Sequence, residues 1–500
     1  MLKKILIANR GEIAIRIIRA CRLLGFKSIA VFSEEDLNSL HIKMADEAYK
    51  IGSGSVEETY LNIDKLIQIA LDAKVDAIHP GYGFLSESIE FAKKIEENNI
   101  IFIGPSSEVL RKFGDKMEAK KLASEVSIPT IPGSEDYVST LAQAEEIAER
   151  IGYPIIIKAA FGGGGKGMEV VKNQKSLEIG LLGCQSISQR FFGRKEVIIE
   201  KYISSPKHVE IQFLADNFGN VIHLGDRECS IQRSHQKIIE EAPSFLDNKT
   251  REEIGSKVCT LAKKLSYVNA GTAEFLWKDG SIYFNEINPR IQVEHPITEM
   301  ITGIDLVIQQ LRIANDEELQ YKQEDIDFRG HAIEFRINAE DPLKSFYPQS
   351  GTVNNLNIPG GNFVRFDTFL YPTYKLPNCY DSLIGKLIIW GENREEAVER
   401  ARIALQEMAI SGITTNISLH KAILSTPEFR LREITTNFLE SNKIQEILSD
   451  YEKMKLAAAY RIYELHTNIE TKISSEARQK NGYHNRWKQQ SKIEQQRNYP

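Results

Sequence analysis

The sequence predicts an α/β fold that begins with a doubly wound parallel sheet and continues into domains of mixed α+β structure. Short apolar runs of strand length alternate with amphipathic helical segments over roughly the first hundred residues. Strands separated by helices favour a parallel sheet with helices on both faces. A chain of 500 residues is long enough for about three or four domains, each with its own core.

The first sheet is predicted from four apolar runs, which cover residues 4–8, 28–32, 75–78 and 100–103. A helix is predicted after the first run, over 13–24, because apolar residues such as Ile13 and Ile17 recur on one helical face. Gly25 is placed to end that helix. The loop 9–12 lies where such sheets bind ligands, but it lacks the GxGxxG pattern, so no dinucleotide site is predicted.

Four segments are predicted along the chain. The N-terminal doubly wound α/β domain occupies 1–115, and a larger segment at 116–329 contains a glycine-rich loop within an inner part at 131–203. A mixed α+β segment follows at 330–441. Residues 442–500 are predicted to be a helical, polar extension.

Composition excludes several classes of function. The formal net charge of −6 argues against general nucleic-acid binding, which needs a basic footprint. No apolar segment approaches the ~20 residues that span a bilayer, and Asn9 interrupts the N-terminal apolar run too early for a signal peptide. The five cysteines are scattered without a CxxC pair, so neither a disulfide framework nor a zinc site is expected. Reduced thiols in a cytoplasmic protein are expected instead.

The glycine-rich loop is the first candidate site. It contains four consecutive glycines, Gly162, Gly163, Gly164 and Gly165. Without side chains, their backbone N–H groups can approach a polyanion closely. Lys158 ends the preceding predicted strand and Lys166 lies in the loop, although the Walker pattern is not met. A flexible surface loop is the alternative, but the two lysines favour phosphate binding.

A second candidate is a group of hard oxygen ligands on a predicted hairpin. Glu274 lies on its first strand, and Glu286 and Asn288 lie on one face of its second strand, 281–288. Two carboxylates and an amide suit Mg²⁺, which also takes phosphate oxygens. An ordinary hairpin with a solvated polar face is the alternative, but Phe284 is predicted to share the face of Glu286, which a solvated face explains less well.

The turn of this hairpin decides whether the two glutamates can share a site. A two-residue loop at Asp279-Gly280 would place Glu274 and Glu286 on opposite faces of the sheet. An odd-length loop or a bulge is therefore predicted.

The third candidate is the segment 288–296. Arg290 can bind an oxyanion through two parallel hydrogen bonds, and Glu294 can serve as a general base. A surface ion pair is the alternative for both residues. His295 is expected to be a packed structural histidine.

The nearby stretch 226–237 is too polar for a predicted core strand, which leaves a site-lining segment or a solvated edge. Its Cys229 is expected to be a small buried filler, since the sequence places no base beside it.

Together the motifs resemble the biotin carboxylase family, within the ATP-grasp superfamily, from residue 1 to about 440. The resemblance rests on eight motifs in one order: 8–14, 79–87, 114–116, the glycine loop with Lys158, 208–212, 232–237, 288–296 and 334–342. It implies a doubly wound N-terminal domain, ATP-grasp central domains with a mobile lid at about 131–203, and a biotin carboxylase C-terminal domain at 330–441.

The resemblance also implies roles for individual residues. ATP would be held by Lys116, Lys158, Gly162, Gly163, Gly164, Gly165, Glu200, Lys201, Ile203, His208, Gln232 and His235. Mg²⁺, or Mn²⁺ in its place, would be held by Glu274, Glu286 and Asn288. Bicarbonate would be held by Lys237, Arg290, Gln292 and Val293. Glu294 would deprotonate it, and Arg336 would stabilise the biotin enolate with Tyr82 near the biotin ring.

The implied activity is carboxylation of biotin on a separate carrier protein, driven by ATP and bicarbonate through carboxyphosphate. The implied partners are a second copy of this chain, a biotin carboxyl carrier protein and a carboxyltransferase subunit. Two departures from the family pattern occur at the glycine loop, where Ala160-Phe161 and Lys166 replace Ser-Gly and an arginine. Because the backbone donors remain, activity is expected to survive.

Several alternatives are possible at this level. An acetyl-CoA or propionyl-CoA carboxylase is favoured because of the C-terminal extension, and the biotin carboxylase subunit of a two-subunit pyruvate carboxylase is the alternative. Another ATP-grasp ligase that forms an acyl phosphate is disfavoured by the motifs around Arg290 and Arg336. The extension contains Met454-Lys455-Leu456 but no Met-Lys-Met biotin-attachment signal, so the carrier is expected on another chain. A catalytically inactive scaffold protein would require loss of a site residue such as Lys237, and none is lost.

Overall fold

The structure is a computed structural model that describes residues 1–160, 167–234, 236–440, 444–451, 453–454, 456–464 and 490. The chain divides into two compact units, Met1–Ser441 and Asn442–Pro500. In the second unit, residues 444–451, 453–454 and 456–464 are helical.

The helices of the first unit are α1 Gly11–Leu24, α2 Leu40–Met44, α3 Ile63–Asp72, α4 Ile89–Glu97, α5 Ser107–Gly114, α6 Lys116–Glu125, α7 Leu141–Ile151, α8 Leu177–Phe192, α9 Asn248–Lys264, α10 His295–Thr302, α11 Leu306–Ala314, α12 Arg394–Glu407, α13 Ile417–Ser425 and α14 Pro427–Arg430. As predicted, α1 ends at Gly25, whose φ of 75° gives the left-handed cap that glycine adopts without strain.

The N-terminal sheet is parallel, with strand order β3-β2-β1-β4-β5. Its strands are β1 Lys4–Ile7, β2 Lys27–Ser33, β3 Glu47–Gly52, β4 Ala77–His79 and β5 Ile101–Phe102. The α/β fold and the four predicted strands are thereby confirmed. The edge strand β3 was not predicted, because exposed residues interrupt its apolar positions and leave no apolar run.

A second, three-stranded antiparallel sheet has the order β7-β6-β8, with β6 Ile155–Ala159, β7 Met168–Val171 and β8 Val197–Lys201. Helices α7 and α8 contribute to its own hydrophobic core, which includes Ile155, Ile157, Leu181 and Val197. Lys158 lies near the end of β6 and Glu200 lies near the end of β8.

The third sheet has eight strands in the order β13-β12-β9-β10-β11-β14-β21-β19. They are β9 Lys207–Ala215, β10 Val221–Arg233, β11 Gln236–Ala242, β12 Asn269–Lys278, β13 Ser281–Asn288, β14 His331–Asn338, β19 Val364–Thr368 and β21 Leu383–Gly391. The remaining strands are short pairs: β15 Glu340–Asp341 with β16 Tyr347–Pro348, β17 Gly351–Thr352 with β20 Lys375–Leu376, and β18 Asn355–Asn357 with β22 Ala409–Ser411.

Residues 226–233 of the polar stretch lie in β10 and residues 236–237 lie in β11, near the middle of this eight-stranded sheet. The expectation that it was too polar for a core strand is wrong, and the alternative of a solvated edge is excluded, while the alternative of a site-lining segment agrees with its position. Residues 226–232 are buried, and their charges have partners: Asp226 pairs with Arg251 of α9, Arg227 with Glu210 of β9, and Glu228 with Lys207 of β9.

Candidate active site

A row of paired glutamates crosses one face of the eight-stranded sheet. Glu274 on β12 is aligned with Glu286 on β13 and, on its other side, with Glu210 on β9. Glu210 is in turn aligned with Arg227 on β10. Because directly opposed residues point to the same face, three carboxylates and a guanidinium converge there. Like charges opposed in this way are destabilising unless cations or a bound ion compensate them.

The hairpin reaches this alignment through a bulge, as predicted. Lys278 pairs with Ser281 across a two-residue turn, and the register shifts between Glu274 and Phe275. The shift leaves Asn285 as the additional residue, so Glu286 lies opposite Glu274. The bulge confirms the prediction that both carboxylates share a face.

The same bulge overturns the prediction for Phe284. Phe284 pairs with Phe275 and packs against it with ring centroids 6.1 Å apart, in the hydrophobic core on the opposite face. The alternation argument failed because the additional residue reverses the face of every residue on one side of it.

Lys237 connects the glutamate row with Glu294. Its Nζ lies 2.5 Å from Glu210 Oε2, 2.8 Å from Glu274 Oε1 and 2.6 Å from Glu294 Oε1. Burial alone lowers the pKa of a lysine, but the three carboxylates outweigh it and raise the pKa of Lys237 well above its usual value. The ammonium is therefore charged and shared by three acceptors.

Glu294 lies between two cations, fully buried at the N-cap position of α10. Its Oε1 accepts a hydrogen bond from Lys237, and its Oε2 accepts one of 2.8 Å from Arg336 Nη2. Burial raises the pKa of Glu294, but Lys237, Arg336 and Arg227 outweigh it and hold that pKa well below its usual range. The carboxylate is therefore ionised and able to accept a proton.

Arg290 lies at the exposed side of this cluster. Its Nε is 2.5 Å from Glu87 Oε1, and its Nη1 donates to Gln292 Oε1 over 3.1 Å. Gln292 in turn donates to Glu274 Oε1 over 3.1 Å. The predicted bicarbonate residues are thus connected to the glutamate row. Val293 contributes its backbone carbonyl, which accepts a hydrogen bond of 2.9 Å from Lys386.

Two lysines form a second positive region at the edge of the three-stranded sheet. Lys158 Nζ lies 2.8 Å from Glu200 Oε2, and Lys120 Nζ lies 3.1 Å from Glu200 Oε1. Lys116 begins α6, and burial, together with repulsion from Lys158, lowers its pKa although Glu286 opposes the shift. The predicted phosphate lysines are thereby placed within electrostatic range of the predicted metal ligand Glu286. The glycines Gly162, Gly163, Gly164 and Gly165, and His235, lie outside the described residues.

The other predicted nucleotide residues fall in two places. His208 lies in the site, with its Nε2 3.2 Å from Glu274 Oε2, and Gln232 Nε2 contacts His208 Nδ1 over 2.8 Å. Lys201 directs its ammonium elsewhere, to the backbone oxygens of Gly152 and Tyr153. Lys201 and the partly exposed Ile203 can therefore line an adenine pocket only through their backbone and apolar surfaces.

The first domain holds Tyr82 near Lys386, whose Nζ lies 5.8 Å from the centre of the Tyr82 ring. Asn9 Nδ2 donates to the backbone oxygens of Pro80 and Tyr82, over 2.7 and 2.8 Å, which fixes the loop. The Tyr82 hydroxyl donates to Glu12, which also forms an ion pair of 3.0 Å with the fully buried Lys386. Residues of the first domain and of β21 thus meet at one end of the site.

The predicted metal ligands fit a divalent cation. Burial and the charge of Glu274 raise the pKa of Glu286, and its carboxylate forms no hydrogen bond or ion pair with another described residue. A Mg²⁺ ion would relieve the repulsion between Glu274 and Glu286. Asn288 lies beside them, since its Nδ2 donates to Glu274 Oε1 over 2.8 Å.

Comparison with known proteins decides the family. Family models described as "Biotin carboxylase, N-terminal domain", "Carbamoyl-phosphate synthase L chain, ATP binding domain" and "Biotin carboxylase C-terminal domain" match residues 1–110, 115–322 and 334–441. The biotin carboxylase of Nostoc sp. is 49% identical over 443 residues, which cover 88% of this chain and 99% of that protein. The chain belongs to the biotin carboxylase family.

Two further relatives extend this result. A pyruvate carboxylase subunit of Methanothermobacter thermautotrophicus is 51% identical over 441 residues, 88% of this chain and 90% of that protein. The biotin carboxylase domain dimer of Hydrogenobacter thermophilus 2-oxoglutarate carboxylase, solved with MgADP, ADP and bicarbonate, has a TM-score of 0.86 and 46% identity. That match covers 90% of this chain and 99% of the solved chain.

As a biotin carboxylase, the chain is an ATP-dependent ligase that carboxylates biotin and uses ATP and Mg²⁺. The resemblance inferred from the motifs is confirmed, as are the fold class and the class of enzyme. No helix in the described part of the chain is both long and apolar enough to cross a membrane.

Sequence reasoning gave no role to several residues that complete the site. They are Glu12, Glu87, Glu210, Arg227, Glu240 and Lys386. Glu210 could have been found, because it lies on an alternating strand motif beside His208. Glu240 and Lys386 could not, because their contacts depend on which strands of the eight-stranded sheet are neighbours.

Proposed function

We propose that the buried cluster around Glu294 is where the chain deprotonates bicarbonate and joins it to the γ-phosphate of ATP. The observation that supports this proposal most strongly is the position of the ionised Glu294 between Lys237 and Arg336. An ionised carboxylate next to cations suits a substrate that must lose a proton and gain negative charge.

The low pKa of Glu294 reflects how fully its two cations are engaged with it. When Lys237 directs its hydrogen bonds to a bound carbonate oxygen, Glu294 loses part of that stabilisation and its pKa rises. The base therefore becomes stronger as the substrate becomes the better partner of Lys237. Arg290, Gln292 and the Val293 backbone complete the proposed bicarbonate site.

The steps follow from the charges in the site. Glu294 takes the bicarbonate proton, a carbonate oxygen attacks the γ-phosphorus, and the bond to ADP breaks, which yields carboxyphosphate. Lys116 and Lys158 neutralise charge on the phosphates, and Mg²⁺, held by Glu274, Glu286 and Asn288, would supply further neutralisation of the transferring group.

Carboxyphosphate then separates into CO₂ and phosphate, and the phosphate takes the ureido proton of biotin. The biotin nitrogen attacks CO₂ while Arg336 stabilises the negative ureido oxygen, with Tyr82 beside the ring. The segment at about 131–203 is proposed as the lid that excludes water from carboxyphosphate.

A direct assay tests this function. Purified chain with MgATP should release ADP only when bicarbonate is present, and added free biotin should give carboxybiotin. ADP release at the same rate without bicarbonate would contradict the proposal. The relative from Hydrogenobacter thermophilus supports it, because it was solved with MgADP and bicarbonate.

For the complete reaction, we propose a carrier protein with covalently bound biotin, a separate carboxyltransferase and a homodimer of this chain. The solved relative from Hydrogenobacter thermophilus is a dimer. A cytoplasmic location is proposed with these partners.

The final acceptor is proposed to be an acyl-CoA, on the basis of the C-terminal extension. Pyruvate is the second candidate, because the pyruvate carboxylase subunit of Methanothermobacter thermautotrophicus is 51% identical to this chain. Purification of the chain with its native partners, followed by carboxylation assays with acetyl-CoA, propionyl-CoA and pyruvate, distinguishes them. Transfer to pyruvate alone would exclude the acyl-CoA proposal.

A further inference from the structure

Two fully buried glutamates beside Arg336 have no place in the steps above. Glu240 on β11 and Glu334 on β14 are aligned directly across neighbouring strands, and neither is exposed to solvent. Arg336 lies two residues after Glu334 on the same strand, so all three side chains share the site face. Directly opposed side chains have Cβ atoms about 4.5–5.5 Å apart, which brings the two carboxyl groups close together.

Glu240 holds Arg336 through a donor next to the one that binds Glu294. Its Oε1 accepts a hydrogen bond of 2.5 Å from Arg336 Nε, whereas Glu294 Oε2 accepts from Nη2 over 2.8 Å. The guanidinium is therefore fixed between two carboxylates. Of these, Glu294 must take up a proton during the proposed reaction, which leaves Glu240 as the constant partner.

Glu334 has no cation of its own. Neither of its oxygens has a hydrogen-bond partner among the described residues, and Glu240 Oε2 is likewise unpaired. The nearest cations are engaged elsewhere, since Lys386 binds Glu12 over 3.0 Å and the Val293 oxygen over 2.9 Å, while Arg336 binds Glu240 and Glu294.

The charges around Arg336 also indicate that Glu334 is not compensated. Three carboxyl groups, Glu240, Glu294 and Glu334, surround Arg336, and of these only Glu294 binds a second cation, Lys237, among the described residues. Two adjacent buried carboxyls cannot both ionise without compensation, and one of them then keeps its proton.

We propose that Glu240 is a positioning residue for Arg336, and that Glu334 beside it is a neutral acid that limits the pair to one negative charge. Arg336 can then still stabilise the negative ureido oxygen of biotin, because only one glutamate of this pair, Glu240, is ionised beside it. This inference rests on the proposed role of Arg336 in biotin carboxylation.

The electrostatics of both groups agree with this assignment. Burial, together with repulsion from Glu240 and Glu294, raises the pKa of Glu334 well above its usual value, although Lys386 and Arg336 oppose the shift. Tyr82 also faces Glu334 from the first domain. Burial raises the pKa of Glu240 to about 7. The charges of Arg336 and Lys237 oppose this rise, and the charge of Glu294 adds to it. Glu240 is thus ionised above about pH 7 and loses its charge as the pH falls through that value.

The decisive experiment compares Glu334→Gln, Glu240→Gln and Glu228→Gln in the full chain with free biotin as the probe. Each variant is assayed for bicarbonate-dependent ADP release and for carboxybiotin formation between pH 6 and 9, which brackets the pKa of Glu240 at about 7. Glu228 is the matched control, a buried glutamate on β10 whose pKa burial also raises to about 7 but which pairs with Lys207 over 3.6 Å and faces Arg432.

The expected results differ for each variant. Glu334→Gln reproduces a neutral acid and should leave the ratio of carboxybiotin to ADP within about twofold of the wild type, because a charge-assisted contact is not lost. Glu240→Gln should raise the KM for biotin roughly tenfold, the usual worth of a hydrogen bond to a charged group, with ADP release almost unchanged. Its carboxybiotin-to-ADP ratio should also lose the rise through pH 7 that the wild type shows. Glu228→Gln should keep the wild-type ratio and pH profile.

Three results would overturn the proposal: equal loss of both activities in Glu240→Gln, an unchanged pH profile in that variant, or a Glu334→Gln variant as impaired as Glu240→Gln. If Glu240→Gln does not fold, Glu240→Asp is used, and it should show a raised KM for biotin and retain a pH-dependent ratio. A wild-type chain that releases ADP without any need for bicarbonate would instead contradict the proposed function, so the two failures are distinguishable.

Discussion

The two faces of the eight-stranded sheet each contain a buried charge cluster, and the clusters are organised differently. On the back face, Glu241 accepts two parallel hydrogen bonds from Arg394, 2.6 and 2.8 Å long, and a third contact of 2.9 Å comes from His331. On the site face, by contrast, Lys237 is shared by three carboxylates, two of which also bind an arginine. Both faces receive their groups from the same strands, since Glu240 and Glu241 are neighbours on β11.

The difference shows how a buried charge cluster that stabilises the fold can be distinguished from one that binds and converts substrates. Both oxygens of the back carboxylate are engaged by guanidinium and imidazole groups of the protein. The site face has more carboxylates than cations and leaves oxygens of Glu240 and Glu334 unpaired among the described residues. Carboxylates that the protein itself does not neutralise can bind a metal ion or accept a proton from a substrate.

The largest effect is expected when the base of the site face is removed. Glu294→Gln keeps the shape of the side chain but cannot take a proton, so turnover should fall by roughly 10²–10⁴-fold. Nucleotide affinity should barely change, because the phosphate lysines are separate from Glu294. Steady-state kinetics with nucleotide-binding titrations measure both quantities, and near-normal carboxylation would remove Glu294 as the base.

A smaller and more selective effect is expected for Arg336→Ala. Arg336 is proposed to act after carboxyphosphate forms, so carboxybiotin formation should fall by roughly 10²–10³-fold, while bicarbonate-dependent ADP release should fall less. Paired measurement of the two products in one reaction tests the order of roles. Losses of equal size would show that Arg336 acts before or during phosphate transfer.

On the back face, the expected effect is on stability and not on chemistry. Glu241→Ala leaves Arg394 buried without its partner, which should lower the free energy of unfolding by about 3–5 kcal/mol. Activity per folded molecule should be retained. Denaturant titration with a matched activity assay checks this. A variant that is as stable as the wild type but inactive would show that the back face takes part in the chemistry.

The same pair predicts an acid dependence of stability. Burial raises the pKa of Glu241, but Arg394 and His331 outweigh it and hold that pKa well below its usual value of 4.5. The stabilisation is therefore fully present above pH 4.5 and is lost as the pH falls through the folded-state pKa. The free energy of unfolding should be measured by denaturant titration at pH 6 and at pH 3.5. The difference between the two pH values should be smaller for Glu241→Ala than for the wild type.

The smallest effect on chemistry is expected from deletion of residues 442–500. The extension contains none of the site residues, and its described helix exposes Met454, Leu456, Tyr460 and Ile462. The deletion should weaken assembly with a partner protein and leave bicarbonate-dependent ADP release with free biotin intact. Loss of that basal activity in a folded truncated chain would contradict this expectation.

Local patterns predicted the first domain well, because its parallel strands are short apolar runs separated by amphipathic helices. The need for a bulge at Glu274 also followed from the sequence, since only a bulge or an odd loop could unite two glutamates. The position of that bulge could not be predicted from the sequence. The prediction for the face of Phe284 was wrong for that reason.

The site itself required the topology of the sheet. The polar stretch 226–237 resembles a solvated edge until β9, β11 and β12 supply its partners. In the same way, the contact between Glu240 and Arg336 depends on the adjacency of β11 and β14, which are separated by almost a hundred residues of sequence. The motifs predicted which side chains belong to the site. They did not predict which cation neutralises which carboxylate.

The central claim, that the site face makes bicarbonate attack ATP, is tested most directly with ¹⁸O-labelled bicarbonate. If a bicarbonate oxygen attacks the γ-phosphorus, the released phosphate retains that oxygen when carboxyphosphate separates into CO₂ and phosphate. Mass spectrometry of phosphate from a single incubation with MgATP and biotin should therefore show one ¹⁸O atom per turnover. Unlabelled phosphate, released at the same rate as carboxybiotin forms, would show that water attacks ATP and would contradict the account.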